Sequence, residues 1–332
     1  MELTTVWFAL IAFLWIGYFV LEGFDFGVGM LLPVLGKTEP ERRAILRTIG
    51  PVWDGNEVWL IVAGGATFAA IPEWYATLFS GFYLPLFLIL VGLIVRGVGI
   101  EYRNKESSLR WRGRWDVLIA VASFIPALLW GVAFANIVAG VPIDGDKQFT
   151  GNLFTLLNPF GLLGGATTLL LFLTHGLVFL ALKTEGELRD RANRLVTPVG
   201  LVTAVVAVAF LAWTNVQTGT LVSSVVAAVA ALAFVGALIA NRLRREGWAF
   251  LGSAVTIALA VASLFLALFP DVMPSSTNPV YSLTTTNAAS TPYTLTIMTV
   301  VAVIFTPLVL LYQGWTYWVF RKRVTVQPSA KR

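Results

Sequence analysis

The 332-residue sequence has no cysteine and a single histidine, His175. The first absence excludes disulfides, thiolate-ligated iron–sulfur clusters and thioether-attached haem. The second excludes any site in this chain that needs two histidines. Charge is scarce as well: Asp, Glu, Lys and Arg make up 12% of the residues, against about 25% in an ordinary soluble domain. What fills the sequence instead is apolar, 57% hydrophobic residues gathered in long runs. These features describe an integral membrane protein. A cleavable signal peptide is not expected, because the Met1-Glu2 start lacks a basic region and the first apolar run is long enough to span. The net charge of +5 does not point to nucleic acid, since the basic residues sit in short loops between apolar runs. No soluble domain, nucleotide motif or repeat is evident, so residues 1–332 read as one membrane domain.

Nine helical spans are expected, at about 5–32, 52–71, 76–101, 114–138, 157–183, 196–214, 219–241, 248–269 and 292–320. Each is near or above the ~20 residues that cross the hydrocarbon as a helix. Barrel strands would be shorter and would alternate in polarity. The 196–241 stretch is divided at Asn215, Gln217, Thr218 and Gly219. The expected fold is all-α and polytopic: two four-helix bundles plus one peripheral last helix.

Lysine and arginine alternate sharply by loop. One side holds Lys37, Arg42, Arg43 and Arg47, then Arg103, Lys105, Arg110, Arg112 and Arg114. It continues with Lys183, Arg189, Arg191 and Arg194, then Arg242, Arg244 and Arg245, and the tail Arg321, Lys322, Arg323, Lys331 and Arg332. The other side holds only Lys147. The positive-inside rule therefore puts the N-terminus outside and the C-terminus in the cytoplasm. The outer loop 270–291, with Pro270, Pro274 and Pro279, reads as ordered or partner-covered rather than as a domain.

Against this background two acidic motifs stand out: Glu22-Gly23-Phe24-Asp25-Phe26-Gly27 and Trp53-Asp54-Gly55-Asn56-Glu57-Val58-Trp59. At 1.5 Å per residue, Asp25 lies roughly 10 Å and Glu22 roughly 15 Å in from the cytoplasmic end of the first span. Glu57 and Arg96 lie roughly 9 Å in, and His175 roughly 12 Å. The ionisable groups thus share the cytoplasmic half. A half-channel open to the cytoplasm needs them only there, and intramembrane acids point to a proton or ion path. Glu22/Asp25 and Asp54/Glu57 are each i,i+3 pairs on one helix face. Gly23 and Gly27 allow a neighbouring helix to come close beside Asp25. Arg96 can neutralise one carboxylate, which leaves at least one acid without a full counter-charge. Plainer readings stand beside these. Asp54 suits the helix dipole in a first turn after Pro51. Asp25 and Glu57 are also suited to a structural salt bridge with Arg96. Glu101, Tyr102 and Asp116 are expected to be solvated or anchoring at the interface, with Glu101 beside Arg96 as a counterion or structural group. His175 and Asn56 are expected in the polar core, His175 hydrogen-bonded between helices. Trp7, Trp53, Trp59, Trp74, Trp111, Trp115, Trp315 and Trp318 suit an interfacial belt.

The two acidic motifs, with Gly50-Pro51-Val52 before the second, resemble subunit II of the cytochrome bd-type quinol oxidases. So do Arg96-Gly97-Val98 with Glu101-Tyr102-Arg103, Asn158-Pro159-Phe160, and the loop Met273 to Pro279 with Asn287-Ala288-Ala289-Ser290. The resemblance covers essentially the whole chain. It implies a heterodimer in the bacterial cytoplasmic (inner) membrane, in which subunit I carries haem b, haem d and the quinol site and this chain carries none. It implies oxidation of quinol and reduction of dioxygen to water, with protons taken from the cytoplasm. It assigns Asp25 and Asp54 to a proton path, flanked by Glu57 and Arg96, with Glu22 in the same cluster. A small single-span accessory subunit and a structural quinone or lipid also belong to such complexes. A stand-alone proton-coupled transporter is the competing class. It calls for polar groups in the outer half and a central cavity, neither of which the sequence offers.

Overall fold

The computed structural model describes residues 2–326. Lys331 and Arg332, counted above in the tail, lie outside the described residues. The elements in chain order are α1 (Leu3–Leu35), α2 (Glu39–Ile49), α3 (Trp53–Ala70), α4 (Pro72–Gly81), α5 (Tyr83–Tyr102) and α6 (Leu109–Ala139). There follow α7 (Leu153–Leu156), α8 (Pro159–Lys183), α9 (Gly186–Thr218), α10 (Leu221–Arg242) and α11 (Glu246–Leu268). A small antiparallel pair, β1 (Asp271–Met273) and β2 (Leu283–Thr284), precedes α12 (Pro292–Val319).

Eight of the described helices are long and apolar enough to cross a membrane: α1, α5, α6 and α8 to α12. The ninth expected span is α3, whose 18 residues extend about 27 Å. Asp54, Asn56 and Glu57 lower its apolar character. The span expected at 76–101 is instead two helices, α4 and α5, meeting at Phe82. Pro85 has no N–H to continue the ladder back to Gly81. Phe149 also fills the space beside Gly81, where an added Cβ would meet its side chain at 2.6–3.0 Å. Helix α2 lies between the first two expected spans and is an addition to them. There Thr38 and Glu41 form a reciprocal cap, Glu41 accepting from the Thr38 N–H at 3.1 Å and from the Lys37 N–H at 2.9 Å. The helix lays Ala44, Ile45, Leu46 and Ile49 against the bundle.

Helix α1 is the axis of the molecule. It packs against α3, α6, α8 and α11. The other spanning helices pack in sequence, α5 on α6, α6 on α8, α8 on α9, and α10 on both α9 and α11. Helix α12 is peripheral, and of its residues only Leu295 is buried. The close approach expected at Gly23 and Gly27 is made by α8. A Cβ at Gly27 would lie 2.8 Å from the Gly176 Cα, and one at Gly23 2.6 Å from the Phe172 ring. Backbone contact of this kind sets the height of α1 against α8 to within a side chain.

The basic loops gather on one face. Arg103 and Arg42 both bind Asp116, Arg191 binds Glu41, and Arg189 and Arg323 flank Glu246. Asp116 is therefore not a solvated interface residue; it is 1% exposed and holds two arginines. On the opposite face the 270–291 loop is ordered against the 139–156 loop. Val141 N donates to Pro274 O at 3.0 Å and Ser276 N donates back to Val141 O at 2.9 Å. The tryptophan belt is only partial, since Trp7, Trp59 and Trp74 are buried. Trp7 Nε1 reaches Leu295 O and Thr299 Oγ1, fastening α12 to α1 at that end.

Candidate functional site

The site is built where α1, α3, α5 and α12 meet in the half of the membrane next to the basic face. Helix α1 brings Glu22 and Asp25 from one face, both fully buried. Helix α5 brings Arg96, also fully buried. Its guanidinium pairs with Glu22, lies 3.6 Å from Glu57 Oε2 and covers the Phe26 ring at 4.9 Å from the centroid. Glu57 comes from the second turn of α3, and its side chain is 20% exposed. Arg96 Nε and Nη1 make no hydrogen bond among the described residues.

Asp25 has a different neighbour. Asn56 Nδ2 donates to its Oδ2 at 2.6 Å and to Leu21 O at 3.3 Å. Asn56 Oδ1 in turn accepts from Gln313 Nε2 at 3.0 Å and from the Tyr317 hydroxyl at 2.8 Å. Asp25 Oδ1 has no hydrogen-bond partner among the described residues. Three carboxyl groups, one guanidinium and one bridging amide therefore share a single layer. Ionising all three acids would leave two negative charges uncompensated in a low-dielectric interior, which is costly. An arrangement of this kind is suited to taking up and releasing protons.

Asp54 stands apart, exposed in the first turn of α3. It lies at one end of a cleft of about 880 Å³ between α1, α3 and α12. The walls include Phe13, Trp59, Val301 and Phe305, and the polar end Asp54, Gln313 and Thr316. Glu101 is exposed, and no ion pair joins it to Arg96. His175 lies in the polar core with both nitrogens engaged, Nδ1 with Ser253 Oγ at 2.7 Å and Nε2 with Val20 O at 3.2 Å. It stacks on Phe250 and offers no free nitrogen to a metal.

Of the residues expected at one depth, the structure pairs Arg96 with Glu22 and sets it near Glu57, while Asn56, expected in the polar core, bonds Asp25. Gln313 and Tyr317 are not among the expected site residues. The available signal was a lone amide in an otherwise apolar span, one turn before a tyrosine.

Comparison with known proteins agrees with this architecture. The family model described as cytochrome bd terminal oxidase subunit II matches residues 3–320. Subunit 2 of the Bacillus subtilis cytochrome bd ubiquinol oxidase is 41% identical over 329 residues, covering 98% of this chain and 97% of that protein. Subunit 2 of the Escherichia coli K12 cytochrome bd-I ubiquinol oxidase is 40% identical over 358 residues, covering 96% and 94%. A chain of the bd oxidase from Geobacillus thermodenitrificans superposes with a TM-score of 0.78 at 18% identity, over 97% of this chain and all of that one. That likeness shows the fold. The match across nearly the whole length shows that the chain belongs to the cytochrome bd terminal oxidase subunit II family.

Proposed function

We propose that this subunit delivers cytoplasmic protons to oxygen chemistry carried out in its partner. The complex is a quinol oxidase, an oxidoreductase with haem cofactors and a subunit I. On this reading haem b, haem d and the quinol site lie in subunit I, in the bacterial cytoplasmic membrane. Reduction of dioxygen to water consumes one proton per electron, so a proton route to the haems is a chemical requirement. The observation that carries the proposal is the layer of Glu22, Asp25 and Glu57 around one arginine, confined to the half of the membrane beside the basic face.

Each residue then has a role. Asp54, exposed at the mouth, collects protons. Glu57, one turn deeper and partly exposed, takes them from there. Arg96 holds Glu22 and limits the negative charge of the layer. Asp25, bound to an amide rather than a cation, is the acid that takes and gives a proton. The cleft between α1, α3 and α12 suits a structural quinone or lipid, with an isoprenoid or acyl chain along Phe13, Trp59 and Phe305 and a polar head at Gln313 and Thr316. A small single-span subunit is a further expected partner.

Replacing Asp25 or Glu57 with alanine tests the route. The expected outcome is lost oxygen consumption with the haem spectrum of the purified complex retained. Lost haem would instead assign these acids to assembly. Full activity in both variants would remove the route.

A further inference from the structure

Helix α12 is the least buried of the spanning helices, yet it supplies two side chains to a fully buried one. Gln313 and Tyr317, one turn apart, both point at Asn56 Oδ1. A primary amide has one accepting end and one donating end. With its carbonyl held by α12, the Asn56 NH₂ turns to α1. There it faces Asp25 Oδ2 and the carbonyl of Leu21. Leu21 O can only accept. A flipped Asn56 would set its own carbonyl against that oxygen, with no proton between them. The orientation is therefore fixed by groups on two helices, independently of the protonation of Asp25.

The carboxyl feels this directly. Oδ2 of Asp25 receives the amide N–H, and a proton on that oxygen would make it a poorer acceptor and weaken the bond at 2.6 Å. We propose that α12, through Gln313 and Tyr317, is a positioning element that locks Asn56 as a donor and confines the exchangeable proton of Asp25 to Oδ1. Oδ1 is the oxygen with no other partner among the described residues. Proton arrival and departure then use one oxygen, and no rotation of the carboxyl is needed between them. The proposal rests on Asp25 as a relay acid and says how that acid is prepared.

The placement of α12 does not depend on its sparse side packing alone. The segment after it docks on the end of α8. Val324 N donates to Lys183 O at 2.7 Å, Lys183 Nζ donates to Lys322 O at 3.0 Å, and Arg323 Nη1 donates to Thr184 O at 3.1 Å. At the far end Trp7 holds Leu295 and Thr299. The helix is pinned at both ends, and its two donors lie near the docked tail.

The test uses the intact complex with its haem-bearing partner. Redox-induced infrared difference spectra in light and heavy water show the protonated carboxyl of Asp25, identified by its loss in Asp25→Asn. An N–H bound to the carboxyl carbonyl lowers its stretching frequency. The double variant Gln313→Leu with Tyr317→Phe frees the amide, so the band is expected to move to higher frequency. Turnover is expected to fall about fivefold, the equivalent of one net hydrogen bond. Tyr317→Phe alone removes one hydroxyl and is expected to move the band in the same direction by less. Thr296→Val, on the same helix, outside the cleft and bonded to Pro292 O of its own turn, leaves the band in place. An unmoved band in the double variant, at normal haem content, overturns the lock. So does an Asp25→Asn spectrum that loses no carboxyl band. Full oxygen consumption in Asp25→Asn overturns the relay reading alone, while the band shift still judges the lock.

Discussion

Arg96 and Arg103 belong to the same stretch of helix, about 10 Å apart along it, and both are completely buried. Their surroundings differ. Arg103 donates from Nε to Asp116 Oδ1 at 2.5 Å and from Nη2 to Asp116 Oδ2 at 3.1 Å. It also grips Glu39, from Nη1 at 3.1 Å and from Nη2 at 2.8 Å. Two carboxylates saturate its fork, and Arg42 and Arg112 balance their charge. Arg96 has one close carboxylate, a second at 3.6 Å, and two nitrogens with no hydrogen bond among the described residues. A saturated cluster has one low-energy arrangement and serves as a rivet. An unsaturated cluster with more acids than cations has several protonation states of similar energy. Burial of an arginine therefore does not by itself mark function; what matters is whether its partners leave protons free to move.

The sharpest way to break this contrast is Asp116→Leu. Arg103 cannot shed its charge, so losing two of its acceptors is expected to cost about 3–5 kcal/mol. Thermal unfolding and the yield of haem-loaded complex would report it. Arg96→Leu is expected to behave differently. The acids it leaves behind can take up protons, so the complex still assembles, while oxygen consumption falls about 100-fold through the loss of a tuned proton-transfer layer. Equal damage to assembly in both variants would erase the distinction. A smaller effect sharpens it through pH. Burial works against ionisation of Glu39, but hydrogen bonds from Arg103 and Arg43 outweigh it and hold the carboxyl below the usual glutamate range. Glu41 is lowered in the same way, burial again opposing and Arg191 and the Thr38 N–H prevailing. A folded-state value below the unfolded one stabilises above the usual range and is lost as pH falls through it. The thermal stability of the complex is therefore expected to drop modestly below about pH 4.5. Replacing Glu39 with glutamine should flatten that acid limb.

Much of this architecture is legible in the amino-acid sequence alone. The span order, the basic face and the depth of Glu22, Asp25, Glu57 and Arg96 follow from helix rise and loop charge, because lipid enforces both. The close contact of α1 with α8 is legible as Gly23 and Gly27, though not which helix makes it. Other features are hidden for physical reasons. The break at Phe82 depends on Pro85 and on Phe149, which is distant in sequence. Asp116 reads as a solvated or anchoring interface acid, and its burial is hidden because its two arginines come from other elements. Gln313 and Tyr317 lie more than 250 residues from Asn56, so no local pattern joins them. Local periodicity reports depth and face, and the pairing of faces is a tertiary fact.

The confinement of the acid layer to one half of the membrane has an electrical side. A unit charge crossing the whole bilayer works against about 2.3 kcal/mol for each 100 mV of potential. A proton that climbs about a third of the ~30 Å hydrocarbon from the negative side works against about a third of that, near 0.8 kcal/mol at 100 mV. On the relay reading, every proton brought to Asp25 charges the membrane by that fraction before it meets any oxygen. On that reading the height of Asp25, fixed by the contact of Gly27 with Gly176, also sets the share of voltage that each relayed proton works against.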